Sequence, residues 1–249
     1  MANFNKRQTG LDIIQATLAQ LGLPIPTVVA TNPADVTARQ MLALLNFAGR
    51  RLIKPTSTYR WQVLTKTWQL ITTPVDTVYT MPDDWDSFED LTGWNFTSRL
   101  PMLGPATDPQ WQCLKARNLG SSTISVIYRS RGGNKVEIYN TFPTAQDLRI
   151  DYTSRAWVQS GADPLIFKDS IDADDDVVLY DPELMVTALK LRFMTAKGFD
   201  TTAAQSEYNE ALEAAINADT DAPVLPLTLV DTYPLLSTQF NVPDTGYGA

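Results

Sequence analysis

The 249-residue sequence contains no histidine and a single cysteine, Cys113. Without an imidazole there is no Ser-His-Asp triad, no Cys-His dyad and no histidine-ligated metal. One cysteine excludes an intrachain disulfide and a cysteine metal cluster, and a lone thiol with no histidine beside it lacks the usual activation of a nucleophile. No apolar run approaches the roughly 20 residues that a membrane-spanning helix needs. The first 22 residues do not read as a signal peptide, because Asp12 and Gln15 interrupt the apolar stretch.

Basic residues are missing from one end. Residues 198–249 carry eight Asp and Glu and no Lys or Arg, which accounts for the whole formal charge of −8. Residues 1–197 hold 20 of each sign and are neutral. The acidic end cannot grip phosphate, but it suits docking on a basic protein surface or repelling DNA. The residues that are present, 44% hydrophobic and 19% charged, suffice for a real core.

The order of elements is helix, sheet, helix, arm. Thr9 caps a first helix with Leu11, Ile14, Leu18 and Leu21 in its stripe, stopped by Gly22 and Pro24. Asn32 as N-cap, Pro33 at the first position and Asp35 in the first turn open a second helix, closed by Pro55. Aromatic and β-branched residues then alternate over 59–71, and strands are expected at 75–80, 91–94, 98–103, 123–130, 135–139 and 148–154. Asp108-Pro109 opens a short helix between them. Gly132-Gly133-Asn134 marks a hairpin turn. The middle is thus an antiparallel sheet or small sandwich of about five to seven strands. Asp181 with Pro182 opens a third long helix that ends at Gly198, and Asp200 caps a fourth running to Ala218. Residues 222–249, with Pro223, Pro226, Pro234 and Pro243 among apolar groups, lose all periodicity and read as an extended arm.

The fold class is therefore α+β: a helical bundle from both chain ends, an inserted antiparallel β-domain and an extended C-terminal arm. The expected boundaries are 1–57 for the N-terminal helices, 58–160 for the β-rich insertion, 161–221 for the C-terminal helices and 222–249 for the arm.

Four groupings have the look of chemistry, and each has a plainer reading. Asp172, Asp174, Asp176 and Glu183 hold the spacing of a calcium loop, but Val177 stands where the turn needs glycine and Pro182 stiffens the exit. A solvated acidic loop and no metal are expected. Asp83, Asp84, Asp86, Glu89 and Asp90 resemble a hydrolase pair but, crowded in a turn, are expected to solvate it. Arg129 and Arg131 flank Gly132-Gly133 without the rest of a phosphate loop. Six Trp and nine Tyr suit a sugar platform, yet in a β-rich domain they more often build the core. No catalytic residue and no cofactor is expected.

Several ordered pieces carry a resemblance: LLNFAGRRL at 44–52, RWQVLTKTWQLIT at 60–72, YTMPDDWDSF at 79–88 and TGWNFTSRLPMLGP at 92–105. PQWQCLKA at 109–116, KVEIYNTFPTAQDLRIDYTSRAWV at 135–158 and DADDDVVLYDPELMVTALKLRFMTAKGFD at 172–200 complete it. In this order they resemble the head-to-tail adaptor (connector, or neck) proteins of short-tailed bacteriophages. The resemblance implies a structural, non-enzymatic virion protein. Such a protein forms a ring of twelve copies under the portal after packaging, in the host cytoplasm, and provides the platform for tail and nozzle proteins. DNA would pass through its channel unbound, and no membrane is involved. A tail-tube or other neck protein one ring further out is the second reading. A carbohydrate-binding tail or adhesin module is the alternative from another class.

Two surfaces are assigned on this basis. Val224, Leu225, Leu227, Leu229, Val230, Tyr233, Leu235, Leu236, Phe240, Val242 and Tyr247 make the arm apolar enough to seek a partner surface, expected to be the portal. Asp200, Glu207, Glu210 and Glu213 are expected on an exposed face of the last helix, lining the channel, while Tyr208, Leu212, Ala215 and Ile216 pack inward.

Overall fold

Local sequence sets each helix boundary in the computed structural model, which describes residues 7–30, 35–56, 59–117, 126–139 and 141–220. Helix α1 (Gly10–Gln20) starts on a capping box, in which the Thr9 hydroxyl accepts from the Asp12 N–H and the Asp12 carboxylate accepts from the Thr9 N–H, both at 3.1 Å. Ile13, Ile14 and Leu18 are fully buried, while Leu11 and Leu21 sit only half inside. Helix α2 (Val36–Leu52) begins later than its sequence suggests. Asp35, expected inside the first turn, is itself the N-cap and accepts from the Thr37 N–H at 2.9 Å. Asn32 and Pro33 lie outside the described residues.

The β-rich part is more finely divided than its alternation predicts. Residues 62–64 form a short 3-10 turn, and strand β1 (Thr65–Ile71) starts only after it. In that strand Lys66, Trp68 and Leu70 turn inward and the odd positions outward. Then follow β2 (Val78–Thr80), β3 (Trp85–Phe88), β4 (Trp94–Asn95), β5 (Leu100–Pro101), α3 (Asp108–Arg117), β6 (Tyr128–Arg131), β7 (Lys135–Ile138) and β8 (Asp147–Ser154). Strand β8 is the organiser. It pairs antiparallel with β1 from Thr65–Thr153 to Ile71–Asp147, and its other edge takes β3 and β4, with β5 beyond. The hairpin β6–β7 turns at Gly133 and Asn134, both at positive φ, and adds β2 as a third strand. Met81, Tyr128, Val136, Ile138, Phe142, Leu148 and Ile150 form one apolar core in this part of the chain.

A second, larger core joins both ends of the chain. After β8 the chain adds β9 (Val158–Gln159), β10 (Phe167–Lys168) and β11 (Val177–Val178), a small antiparallel sheet in the order β10-β9-β11 that the sequence does not announce. The Gly10 N–H donates to the Asp176 carbonyl at 2.9 Å and the Val178 N–H to the Gln8 carbonyl at 3.0 Å, so the start of α1 is tied to this sheet. Helix α4 (Pro182–Lys197) runs from the Asp181 cap to Gly198, which takes the left-handed conformation at φ +71°. It packs against α1, α2 and α5 (Thr202–Asp219). Met41 and Leu45 from α2, Leu184, Met185 and Leu189 from α4, and Trp157 and Val158 are all fully buried in this core. Gly49 of α2 lets the Trp157 ring lie against the helix, since a Cβ there would stand 2.4 Å from the ring. The architecture is thus mixed helix and antiparallel sheet, as expected for an α+β chain, with nine strands among the described residues of 58–160 rather than the five to seven expected there, and two more beyond it.

Candidate assembly surfaces

The residues assigned to the docking arm, Val224 through Tyr247, lie outside the described residues. What is described is the point from which they leave. Asp219, in the last turn of α5, accepts from the Tyr59 hydroxyl at 2.5 Å and from the Gln62 N–H at 3.0 Å. Burial and this bond to Asp219 push the Tyr59 hydroxyl up to about 12. The end of α5 is therefore held against the segment that leads into β1.

Helix α5 returns along α4, and Tyr208, Leu212, Ala215 and Ile216 turn toward the larger core. Its acidic residues do not act as one set. Asp200 lies before the helix and accepts from the Thr202 N–H at 2.9 Å and from the Thr202 hydroxyl at 2.7 Å; these bonds hold its carboxyl below the usual value. Thr201, at the N-cap position, makes no side-chain capping bond, so Asp200 performs the capping from one position further out. Glu207 bridges to Lys190 of α4 at 2.6 Å. Glu207 and Glu210 border a groove of about 970 Å³ between α1, α4 and α5, while Glu213 is exposed elsewhere on α5.

The two acidic clusters are solvated only in part: Asp83, Asp90, Asp172 and Asp175 are exposed as the sequence suggests, while their neighbours are drawn into the fold. Asp176 is fully buried; its Oδ2 accepts from Lys168 at 2.7 Å and from the backbone N–H groups of Asp172 and Ala173 at 3.0 Å. Burial would raise this carboxyl, but those bonds outweigh it and hold it below the ordinary carboxylate value. Lys168 also pairs with Asp172. Asp174 turns the other way and accepts from the N–H groups of Val29 and Ala30 at 2.8 Å, clasping the segment ahead of α2. A lysine thus sits between carboxylates that a calcium loop would aim at an ion, and no group of three or more metal-binding side chains is assembled among the described residues.

In the cluster at 83–90 the residues drawn in are Asp84, Asp86 and Glu89. Asp84 accepts from Lys66 at 2.7 Å, the Ser154 hydroxyl at 2.7 Å and the Tyr152 hydroxyl at 2.9 Å. Desolvation raises this carboxyl, but the three donors win and lower it. Glu89 takes the Thr153 hydroxyl at 2.5 Å and Asp86 pairs with Lys54 of the α2 exit at 2.5 Å. The signal for this in the sequence was slight: Trp85–Phe88 forms a strand inside what reads as a turn. The arginines flanking Gly132-Gly133 are also engaged, since Arg129 donates to the buried Glu137 at 2.6 Å and stacks over Trp111 at 4.7 Å. Of the six tryptophans, Trp61, Trp111 and Trp157 are buried, Trp68 and Trp85 are half-buried, and only Trp94 is exposed, so they build cores rather than a flat sugar platform.

What remains is a scaffold whose distinctive features are surfaces: an acidic groove, exposed apolar side chains and a terminal segment anchored at its root. This is the make-up of a structural assembly protein. The profile of the SU10 adaptor protein family matches residues 8–227, spanning both cores, and the chain belongs to that family of phage head-to-tail adaptors. Its role is structural, in the phage virion. No curated protein matches it closely enough to add a relative. No helix among the described residues is long and apolar enough to cross a membrane.

Proposed function

We propose that this chain forms a ring, of twelve copies, under the portal at the packaged capsid vertex and presents the platform for the tail and nozzle proteins. The family match over residues 8–227 carries this reading. The domain division follows from it. Residues 1–57 and 161–221 make the helical part, supported by the core that α1, α2 and α4 share, and 58–160 make the β-rich insertion, supported by its separate core. Residues 222–249 dock on the portal through Val224, Leu225, Leu227, Leu229, Val230, Tyr233, Leu235, Leu236, Phe240, Val242 and Tyr247. Their apolar character supports this, as does the anchoring of Asp219 just before them. Twelvefold repetition would convert a modest affinity per arm into firm attachment. The channel role is retained for Glu213, which joins neither the groove nor an ion pair among the described residues and would repel passing DNA.

Deleting 222–249 is expected to leave a folded protein that no longer binds purified portal rings. Undiminished binding would refute the docking assignment. A chain that binds the adaptor of the same phage but not its portal would instead belong one ring further out.

A further inference from the structure

Two faces of the helical part are unlike each other and complementary. The outward face of α2 carries Val36, Arg39, Ala43, Phe47 and Arg50, spaced by three, four, four and three residues and all exposed, with Val36 at 69% and Phe47 at 56%. Arg192 of α4 lies over the Phe47 ring at 5.2 Å, and Arg51 flanks the stripe. Arg39, Arg50, Arg51 and Arg192 join none of the ion pairs among the described residues. The face is thus apolar in the middle and basic along its length; of its acidic neighbours, Asp35 is occupied as the N-cap and Asp169 accepts from Arg50 through its backbone carbonyl at 3.4 Å.

The groove between α1, α4 and α5 is its counterpart. Ala16, Ala211, Ala214, Ala215, Ala218 and Val186 give it a low apolar floor. Glu183 and Glu210 border it, with Asp181, which caps α4, and Glu207, which pairs with the groove's single cation Lys190. No α2 residue lines the groove; α2 meets α4 elsewhere, at a small cavity where Ala48 and Leu52 face Ala188 and Leu191. A copy therefore cannot bring its own α2 stripe to its own groove. The lengths are comparable: the stripe from Val36 to Arg50 extends about 21 Å and the α5 wall from Glu207 to Ala218 about 17 Å at the helical rise of about 1.5 Å per residue. Alanines at spacings of three and four let a second helix approach closely.

We propose that neighbouring copies associate head to tail, the α2 stripe of one seated in the α1–α4–α5 groove of the next. This rests on the ring reading above and names the surfaces that would close it. An interface between unlike faces is head to tail, and where its rotation closes it generates a ring rather than a two-fold dimer. The groove's other candidate occupant is the chain's own segment 222–249, which follows α5. That segment has two aspartates and no basic residue, so an acidic groove repels it, whereas four arginines on or beside the stripe complement the groove.

The test is disulfide trapping in the full chain with Cys113→Ser, pairing Phe47→Cys with Ala214→Cys. Both positions are exposed and need no core rearrangement. Oxidation should give a ladder of chain-to-chain products extending beyond the dimer and absent from either single-cysteine variant. Arg39→Glu with Arg50→Glu should cut its yield about tenfold through like-charge repulsion, and adding Glu183→Lys and Glu210→Lys in the same chain should restore it. No ladder above the single-cysteine controls overturns the proposal, as does failure of the swapped charges to restore it. A ladder that stops at the dimer overturns the head-to-tail arrangement. In a second chain carrying Cys113→Ser with Ala214→Cys and Leu229→Cys, an intrachain bond gives the groove to the terminal segment and also overturns the proposal. Rings on the portal, measured by mass on the unmodified chain, without the ladder would leave the ring reading standing and sink only this assignment of faces.

Discussion

Asp176 shows how a single buried side chain can organise a segment that looks like a ligand site. Its charge is tolerated at zero exposure because Lys168 and two backbone N–H groups converge on Oδ2, while Oδ1 is buried without a hydrogen-bond partner. Breaking such a pair from one side costs about 3–5 kcal/mol, so Asp176→Asn should lower the melting temperature at neutral pH. The pH dependence has a definite sign. The folded carboxyl lies below its unfolded value of about 3.9. Its contribution is therefore full above that value and fades as pH falls through the folded one. The stability gap between the protein and Asp176→Asn, followed by thermal melts from neutral to strongly acid pH, should be constant above about pH 5 and close below pH 4. A gap that widens on acidification would contradict this account. Gly49 is the other sensitive residue. Gly49→Ala places a methyl 2.4 Å from the Trp157 ring and should cost about 1–3 kcal/mol by overpacking, although alanine is the better helix former. Denaturant midpoints with an unchanged slope would report it.

At the scale of elements, helices were legible and strands only partly so. The boundaries of α1 and α4 follow from Thr9, Asp181 and Gly198, because caps act through bonds local in sequence. Strands β9, β10 and β11 are two residues each, too short for alternation to register, and exist because their partners come from elsewhere in the chain. The same non-locality hid the fate of the acidic clusters: Lys66 and Ser154, which hold Asp84, lie 18 and 70 residues from it. The acidic stripe on α5 was visible by spacing, but spacing could not tell that Glu207 would turn to Lys190. One element-level consequence can be measured. Tyr59→Phe removes the hydroxyl that holds Asp219, at about 1 kcal/mol. Amide exchange should quicken in the last turn of α5 and remain unchanged in α4. Uniform acceleration along both helices would mean that this bond supports the whole core rather than the helix end.

For the whole molecule, the organisation is a larger core uniting the two ends of the chain, a smaller core in the β-rich stretch between, and an acidic end free of cations. Such a molecule suits a subunit that acts through its surfaces in an assembly, and membership of the SU10 adaptor protein family gives that assembly its place between phage head and tail. The charge asymmetry makes salt a useful probe. If the groove carboxylates meet arginines of a neighbouring copy, self-association should weaken as ionic strength rises, while thermal stability of the isolated chain changes little. The central claim is that the chain assembles on a portal as a ring. It is tested most directly by the native mass of the complex formed when the full chain is added in excess to purified portal rings of its phage. The account predicts a discrete species carrying twelve copies per portal ring. A portal that returns with no bound chain, or with a heterogeneous number of copies, would contradict it.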